Sequence, residues 1–401
     1  MTQNSVVLIF AYHFPPENVI GAARPFRFYR YLAKRGITCR VFTPVPGSGG
    51  FSPDTEEIPD PFFTSPQHDL GWQLERGARR FLYPGALGLR WSMLACAAAQ
   101  RFLRSHPDSK VTAFSTFPPI GAHFAAWQLS RRGNIPWIAD FRDPVEEQYR
   151  VVRAVKLEKR VVEAATLTIA NTDTAAERMR TLYPEQKDKI HFIWNGFDPE
   201  KRLQAQALPP RDYKLLSHVG ELYTGRTVAP LLESVARLIE RGRLSPQQLR
   251  IYLGGAASAG SLPSPETLQR AQQQGWLDLR LHSIDRDEAT QVATTSDGLL
   301  LIQPQSTVQV PGKLFEYLQI GRPTLAFLAE ASPSERILKQ SGIPYRCLYP
   351  TSTPEAWDEN ILEFLKLPSA ACSSPWFEEN FNAEKQAALL SDLIDLAHSR
   401  R

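Results

Sequence analysis

The chain has 401 residues, of which 46 are Lys or Arg and 42 are Asp or Glu, and 43% are hydrophobic. This is globular composition. It excludes a disordered polymer, and the length suggests two domains, each able to bury a core. A formal net charge of +4 is too small to imply nucleic acid by itself; it fits a basic site for an anionic ligand or an anionic membrane face.

In chain order, Ser5–Ala11 (SVVLIFA) is a continuous apolar run with β-branched residues, as expected of a strand buried on both faces. Pro15 and Pro16 forbid a helix in the loop that follows, and Gly21 permits a tight backbone at the next helix entry. Ala22–Arg35 places Phe26, Tyr29, Leu32 and Ala33 at helical spacing, and Gly36 stops the helix. Thr38–Thr43 completes a βαβ unit, which implies a parallel sheet. Residues 45–80, rich in Pro, Gly and Asp, read as a long irregular excursion. Lys110–Ser115, Pro136–Asp140 and Leu167–Ala170 read as further strands, with helices between them. The polar, proline-bearing KRLQAQALPPRD, residues 201–212, reads as a linker. A second βα series follows, with strands expected at 214–220, 249–254, 277–282, 298–303, 323–327 and 344–349. Its helices are expected at about 228–242, 265–274, 286–295, 311–320 and 332–340. SSPWFEENF reads as a break before a last helix over 383–399.

Two such series predict two doubly wound α/β domains facing each other across a cleft, with ligands beyond the carboxyl ends of the strands. The expected domains are residues 1–203 on the acceptor side and 204–382 on the donor side, with 383–401 packing back on the first. Cys39, Cys96, Cys347 and Cys372 include no Cys-x-x-Cys pair and read as free thiols of a reducing compartment. The N-terminus lacks a basic n-region and a small-residue cleavage site, so a cytoplasmic location is expected. The apolar run MLACAAA is far shorter than the roughly 18–20 residues that span a bilayer.

The most informative segment is VPGKLFEYLQIGRPTLAF, residues 310–327. Pro311 suits the first position of a helix. Gly312 lets a ligand approach the backbone, and the helix terminus is an anion site. Lys313 adds a charge at its mouth, and Glu316, one turn in, can accept two sugar hydroxyls. In SHVGELYTGR, Gly220 and Gly225 bracket a tight loop before Arg226, a residue suited to forked contacts with phosphate oxygens. With the 311–316 terminus it forms a candidate pyrophosphate clamp. At the end of the first strand, Gly21 sits in a loop without the G-x-G-x-x-G dinucleotide pattern. His13, read first as an ordinary loop histidine, and Arg24 are candidates to face the cleft. Asp140, Arg142 and Asp143 cluster past a strand end, as an acceptor group or as an ion pair holding the loop. The basic stretch at 150–160 reads as a solvated face or a contact for acidic headgroups. Residues 79–91 read as core packing or as a membrane- or acceptor-facing surface. Asp285–Asp287 resembles an acidic metal motif, but capping explains it.

Together YHFPPENVIGAARP, WIADFRDP, NGFDPE, HVGELYTGR and PGKLFEYLQIGRP resemble the family 4 retaining glycosyltransferases of GT-B fold, over nearly the whole chain and most closely the subgroup that builds bacterial surface polysaccharides. The resemblance implies a metal-independent hexosyltransferase-type enzyme. It would move a sugar from a nucleoside-diphosphate sugar to a hydroxyl acceptor, glycan or lipid-linked, in polysaccharide, glycolipid or other glycoconjugate synthesis. No cofactor beyond the donor and no nucleic-acid partner is implied, and peripheral contact with the inner face of the membrane is open. Arg226 and Lys313 would hold the diphosphate and Glu316 the ribose. The backbone at Gly312–Leu314 would lie near the phosphates, with Gly220 in the donor loop and Gly21 approaching from the first domain. Asp143 stands where relatives present a histidine to the sugar. Many members carry a Glu eight positions before Glu316; here that position is Val308, with Gln305 or Gln309 as polar substitutes. This departure leaves a nucleotide-sugar-binding homologue without turnover as an alternative. A nucleotide-sugar epimerase of similar architecture is another.

Overall fold

Apolar runs rich in β-branched residues have no face to offer water and become strands covered on both sides. The computed structural model describes residues 5–400 except 18, 46–51, 65–68, 78–86, 146–151, 224 and 259. It divides into two units: Met1–Asp198 with Ala383–Arg401, and Pro199–Asn382.

The first unit opens with β1 (Ser5–Ala11), α1 (Ile20–Lys34), β2 (Thr38–Thr43) and β3 (Thr55–Glu57). Two short helices, α2 (Pro61–Thr64) and α3 (Leu70–Gly77), precede α4 (Leu89–Ser105) and β4 (Lys110–Phe117). Then come α5 (Gly121–Gly133), β5 (Trp137–Phe141), α6 (Val152–Ala164), β6 (Leu167–Ala170), α7 (Asp173–Leu182) and β7 (Ile190–Phe192). Every pairing is parallel, in the order β3-β2-β1-β4-β5-β6-β7.

The second unit repeats the plan. It runs β8 (Lys214–Val219), α8 (Ala229–Glu240), β9 (Leu249–Gly254), α9 (Pro265–Gln273), β10 (Leu277–Arg280), α10 (Arg286–Thr294) and β11 (Gly298–Gln303). It continues with α11 (Gly312–Ile320), β12 (Thr324–Leu328), α12 (Pro333–Ser341), β13 (Tyr345–Leu348), α13 (Pro354–Lys366) and α14 (Pro375–Phe381). Its parallel order is β10-β9-β8-β11-β12-β13. Both units are therefore doubly wound. Leu231, Leu232, Val235 and Leu238 of α8 pack with Ile251, Leu300, Leu325, Trp357 and Phe364 in the core of this unit.

Helix α15 (Ala383–Ser399) returns to the first unit. Ala387, Leu390, Ile394 and Ala397 recur at helical spacing and join the core formed by Val7, Ile9, Tyr31, Leu32 and Phe114. Ala383 N–H donates to Phe197 O at 3.0 Å where the helix enters.

Several expectations need correction. Residues 45–80 are not wholly irregular: their described part holds β3, α2 and α3. SSPWFEENF is no break, because Ser374 caps α14 by accepting from Phe377 N–H, with Pro375 at its first position. Helix α13 was not anticipated, although Thr353 caps it and Pro354 opens it. Pro311 is the N-cap of α11, extended at φ −69° and ψ 142°, and Gly312 is the first helical residue. The capping expected of Asp285, by contrast, is present: it accepts from Asp287 and Glu288 N–H at 2.9 and 2.8 Å at the start of α10. Most of the 79–91 stretch and the start of the 150–160 stretch lie outside the described residues.

Candidate functional site

In a doubly wound sheet, ligands bind beyond the carboxyl ends of the strands where the strand order reverses. In the second unit that point lies between β8 and β11. The loop after β8 carries Gly220 and Arg226; the loop after β11 leads to Gly312, Lys313 and Glu316. The segments chosen from sequence therefore flank one switch point. The β8 loop is pinned to the β9 loop: Gly220 N–H donates to Gly254 O at 2.7 Å, Leu222 N–H to Ala256 O at 2.9 Å, and Ser258 N–H to Leu222 O at 2.7 Å. It closes with Arg226 N–H donating to Tyr223 O at 2.7 Å.

The Lys313 side chain lies against Gly220. A Cβ there would stand 2.6 Å from Lys313 Cε and 3.3 Å from its Nζ. Burial pushes the Lys313 ammonium below the usual lysine range; Glu316 opposes the shift and Arg226 adds to it. Arg226 stacks its guanidinium 4.7 Å from the centre of the Tyr223 ring. Among the described residues, neither Lys313 nor Arg226 forms an ion pair or a side-chain hydrogen bond. His218 closes the floor. It shares a 2.9 Å hydrogen bond between Nδ1 and Leu300 O. Its pKa is depressed to about 3, first by burial, then by Lys313 and Arg226, with the Leu300 carbonyl opposing. The group is thus two cations over a neutral histidine, beside the amino end of α11. Gly312 has nothing within 4 Å of where a Cβ would stand, which leaves room for a ligand against the backbone of this terminus. Leu314 is buried, while Glu316 is half-buried.

Sequence reasoning named neither His218 nor Tyr223. It also missed Gln303, whose buried Oε1, at the carboxyl end of β11, has no partner among the described residues. The signal available was their place at or just past the ends of β8 and β11. Gln305 is exposed and lies against Gly225. Val308 is buried and so is not a free polar contact by position or by chemistry. Gln309 is half-buried, its N–H held by Ser306 Oγ at 2.9 Å.

In the first unit, the acceptor-side candidates are mostly buried and held by protein partners. Arg24 and Asp140 are buried and paired at 2.8 Å. Arg24 also donates to Trp194 O and Asn195 Oδ1 at 3.0 and 3.2 Å, and Asp140 accepts from Thr116 Oγ1 at 3.0 Å. Arg142 is buried and donates to the carbonyls of Phe117, Pro118 and Gly21. Burial lowers its pKa, with Asp143 and Asp140 opposing. The physical reason is common to all three: the ends of β4 and β5 leave carbonyls and a carboxylate that must be satisfied once buried. Gly21 is thus a contact of Arg142, and a Cβ there would stand 2.6 Å from Arg142 Nη1. His13 pairs through Nδ1 with Glu17 at 2.9 Å. Asp143 is half-buried beside Arg142.

Two doubly wound parallel units of this kind define a GT-B protein. The chain superposes over 98% of its length on 99% of Anabaena Alr3699/HepE, solved with UDP and glucose, at a TM-score of 0.61 and 13% identity. It superposes over 98% on 98% of a glycosyltransferase from Rickettsia africae ESF-5, at a TM-score of 0.63 and 10% identity. At these identities the likeness is one of fold. Residues 25–201, less than half of the chain, match the model of Glycosyltransferase Family 4. A stretch of 128 residues is 28% identical to the D-inositol 3-phosphate glycosyltransferase of Nocardioides sp. (strain ATCC BAA-499 / JS614), covering 30% of this chain and 28% of that protein. The match thus spans just over a quarter of the relative's length. Among the described residues no helix is long and apolar enough to cross a membrane.

Proposed function

We propose that the protein is a retaining hexosyltransferase that moves a sugar from a nucleoside-diphosphate sugar to a hydroxyl acceptor in polysaccharide, glycolipid or other glycoconjugate synthesis. The observation that carries this reading is the pair Arg226 and Lys313, without an ion-pair partner among the described residues, at the amino end of α11 and the switch point of the second unit. The difficulty in such a transfer is expelling a nucleoside diphosphate. Fixed positive charge aimed where negative charge grows is usually the largest single contribution to catalysis. Arg226, Lys313 and the backbone at Gly312–Leu314 would hold the two phosphates, and Glu316 the ribose hydroxyls. The departing phosphate oxygen would take the acceptor's proton as the new glycosidic bond forms on the same face. The two cations would do what a metal ion does in other transferases, so no metal is needed. Gln305, exposed against the Gly225 turn, would supply the polar sugar contact that Val308 cannot. Asp143 would face the transferred sugar, and the acceptor would be a glycan or a lipid-linked sugar at the inner face of the membrane.

A second reading, a nucleotide-sugar-binding homologue without turnover, is favoured by Val308, which is only 3% exposed where many relatives carry a carboxylate. Thermal-shift titration with UDP, GDP and TDP, followed by incubation with the matching sugar nucleotides, separates the two. One diphosphate should stabilise the protein. Arg226→Ala and Lys313→Ala should each weaken that binding by about 10- to 100-fold, the worth of a charge-assisted hydrogen bond. Donor hydrolysis or transfer that vanishes in both variants supports the enzyme. Binding without turnover on every donor supports the second reading, and no stabilisation by any diphosphate defeats both.

A further inference from the structure

Among the described residues eleven large hydrophobic side chains are exposed, and five of them, Phe63, Leu70, Leu74, Met93 and Leu94, fall within one stretch of the first unit. Phe63, Leu70 and Leu74 are exposed at 68%, 70% and 66%. The described helices that carry them also touch one another. Helix α2 packs on both α3 and α4. Phe62 of α2 stacks on Trp72 of α3 at 5.7 Å. Glu75 of α3 accepts from Leu89 N–H at 3.0 Å, and Arg90 of α4 pairs with Asp69 at 3.0 Å. Leu70 and Leu74 share one side of α3, and Met93 and Leu94 lie one turn beyond the Leu89–Arg90 junction.

Charge in this region is as lopsided as its apolar exposure. The described residues of 61–105 include Arg76, Arg90, Arg101 and Arg104 and no Lys, against Asp69 and Glu75 alone. The four cations outnumber the two acids by two. Of the two acids, Glu75 is buried and Asp69 is spoken for by Arg90. Arg101 and Arg104 are exposed on α4, Arg101 reaching Glu56 at 3.4 Å. Arg76 lies 5.2 Å from the centre of the Trp72 ring. Short helices with bare leucines, an aromatic ring under a guanidinium and an arginine surround are what a shallow insertion into acyl chains beneath anionic headgroups requires.

We propose that the face formed by α2, α3 and the first turns of α4 docks the protein on an anionic lipid bilayer, with Phe63, Leu70, Leu74, Met93 and Leu94 entering the headgroup boundary. It builds on the lipid-linked acceptor reading above by naming the surface that would bring the chain to such an acceptor. The test is co-sedimentation of the full chain with vesicles of phosphatidylcholine and phosphatidylglycerol, against vesicles of phosphatidylcholine alone. The wild type should bind the anionic vesicles, and less so as salt rises. Leu70→Glu with Leu74→Glu should weaken binding by at least about tenfold. Leu281→Glu, at an exposed apolar position of the second unit, should bind as the wild type does. The proposal is overturned if the wild type ignores anionic vesicles, or if the double variant binds them equally well. It is also overturned if the face instead joins two copies of the chain, seen as a dimer dispersed by the double variant without vesicle binding. Thermal shift with nucleoside diphosphates on the same samples reports the donor site separately, so loss of one reading leaves the other standing.

Discussion

A lysine desolvated by burial and set beside an arginine, with no carboxylate in ion-pair reach among the described residues, holds its proton loosely, and Lys313 is in that position, although Glu316 opposes the shift. Its lowered pKa gives binding a defined pH signature. A bound diphosphate favours the ammonium, so binding is full while Lys313 is charged and weakens as pH rises through its lowered value, below the ordinary 10.5. Affinity for the stabilising diphosphate, measured calorimetrically across a pH series, should fall on the alkaline side. Lys313→Arg should abolish that fall, because guanidinium stays charged. How legible the site was also differs residue by residue. Gly312, Lys313 and Glu316 could be read because their chemistry is local to one helix start. Arg24, Asp140 and Arg142 looked like ligand groups because a charged residue at a strand end reads the same whether it meets a ligand or another buried charge. Only the structure pairs Arg24 with Asp140 and spends Arg142 on three carbonyls. His218 and Tyr223 were passed over because their worth depends on neighbours brought in by β11 and α11.

At the scale of elements, β1, β2, β6, β9 and β11 fall at the boundaries expected from their apolar runs. Strands β3 and β7 escaped notice because three residues carry no periodicity. Helix α14 was hidden by its serines and proline, which proved to be its cap and first turn. Helix α11, which presents Lys313, is fixed at its far end by Gly321, in a left-handed conformation at φ 73° and donating its N–H to Tyr317 O at 2.8 Å. A side chain there would also collide with the Cys372 carbonyl. Gly321→Ala should therefore cost about 1–2 kcal/mol from the backbone alone, and more from the collision. A lowered midpoint in urea unfolding would register it, and the diphosphate-induced shift should shrink as α11 loosens.

For the molecule as a whole, each unit buries a neutral histidine. His123, bonded to Ser115 Oγ at 2.7 Å, and His218 are both depressed to about 3, chiefly by burial. Unfolded, each takes a proton near 6.5. The stability tied to their neutrality is therefore fully present above that value and lost as pH falls towards 3. Urea midpoints at neutral pH and near pH 4.5 should show this loss, and His123→Phe should lessen it for the first unit. Leu390→Ala, which empties a fully buried position of α15, should cost that unit about 2–5 kcal/mol. Helix α15 belongs to the first sheet's core but is the last helix in the chain. A growing polypeptide must therefore thread the entire second unit through the ribosome before the strip at Ala387, Leu390, Ile394 and Ala397 can cover the opening half. The part of the protein made earliest is finished last. Until then Tyr31, Leu32 and their neighbours stay wet, open to chaperones.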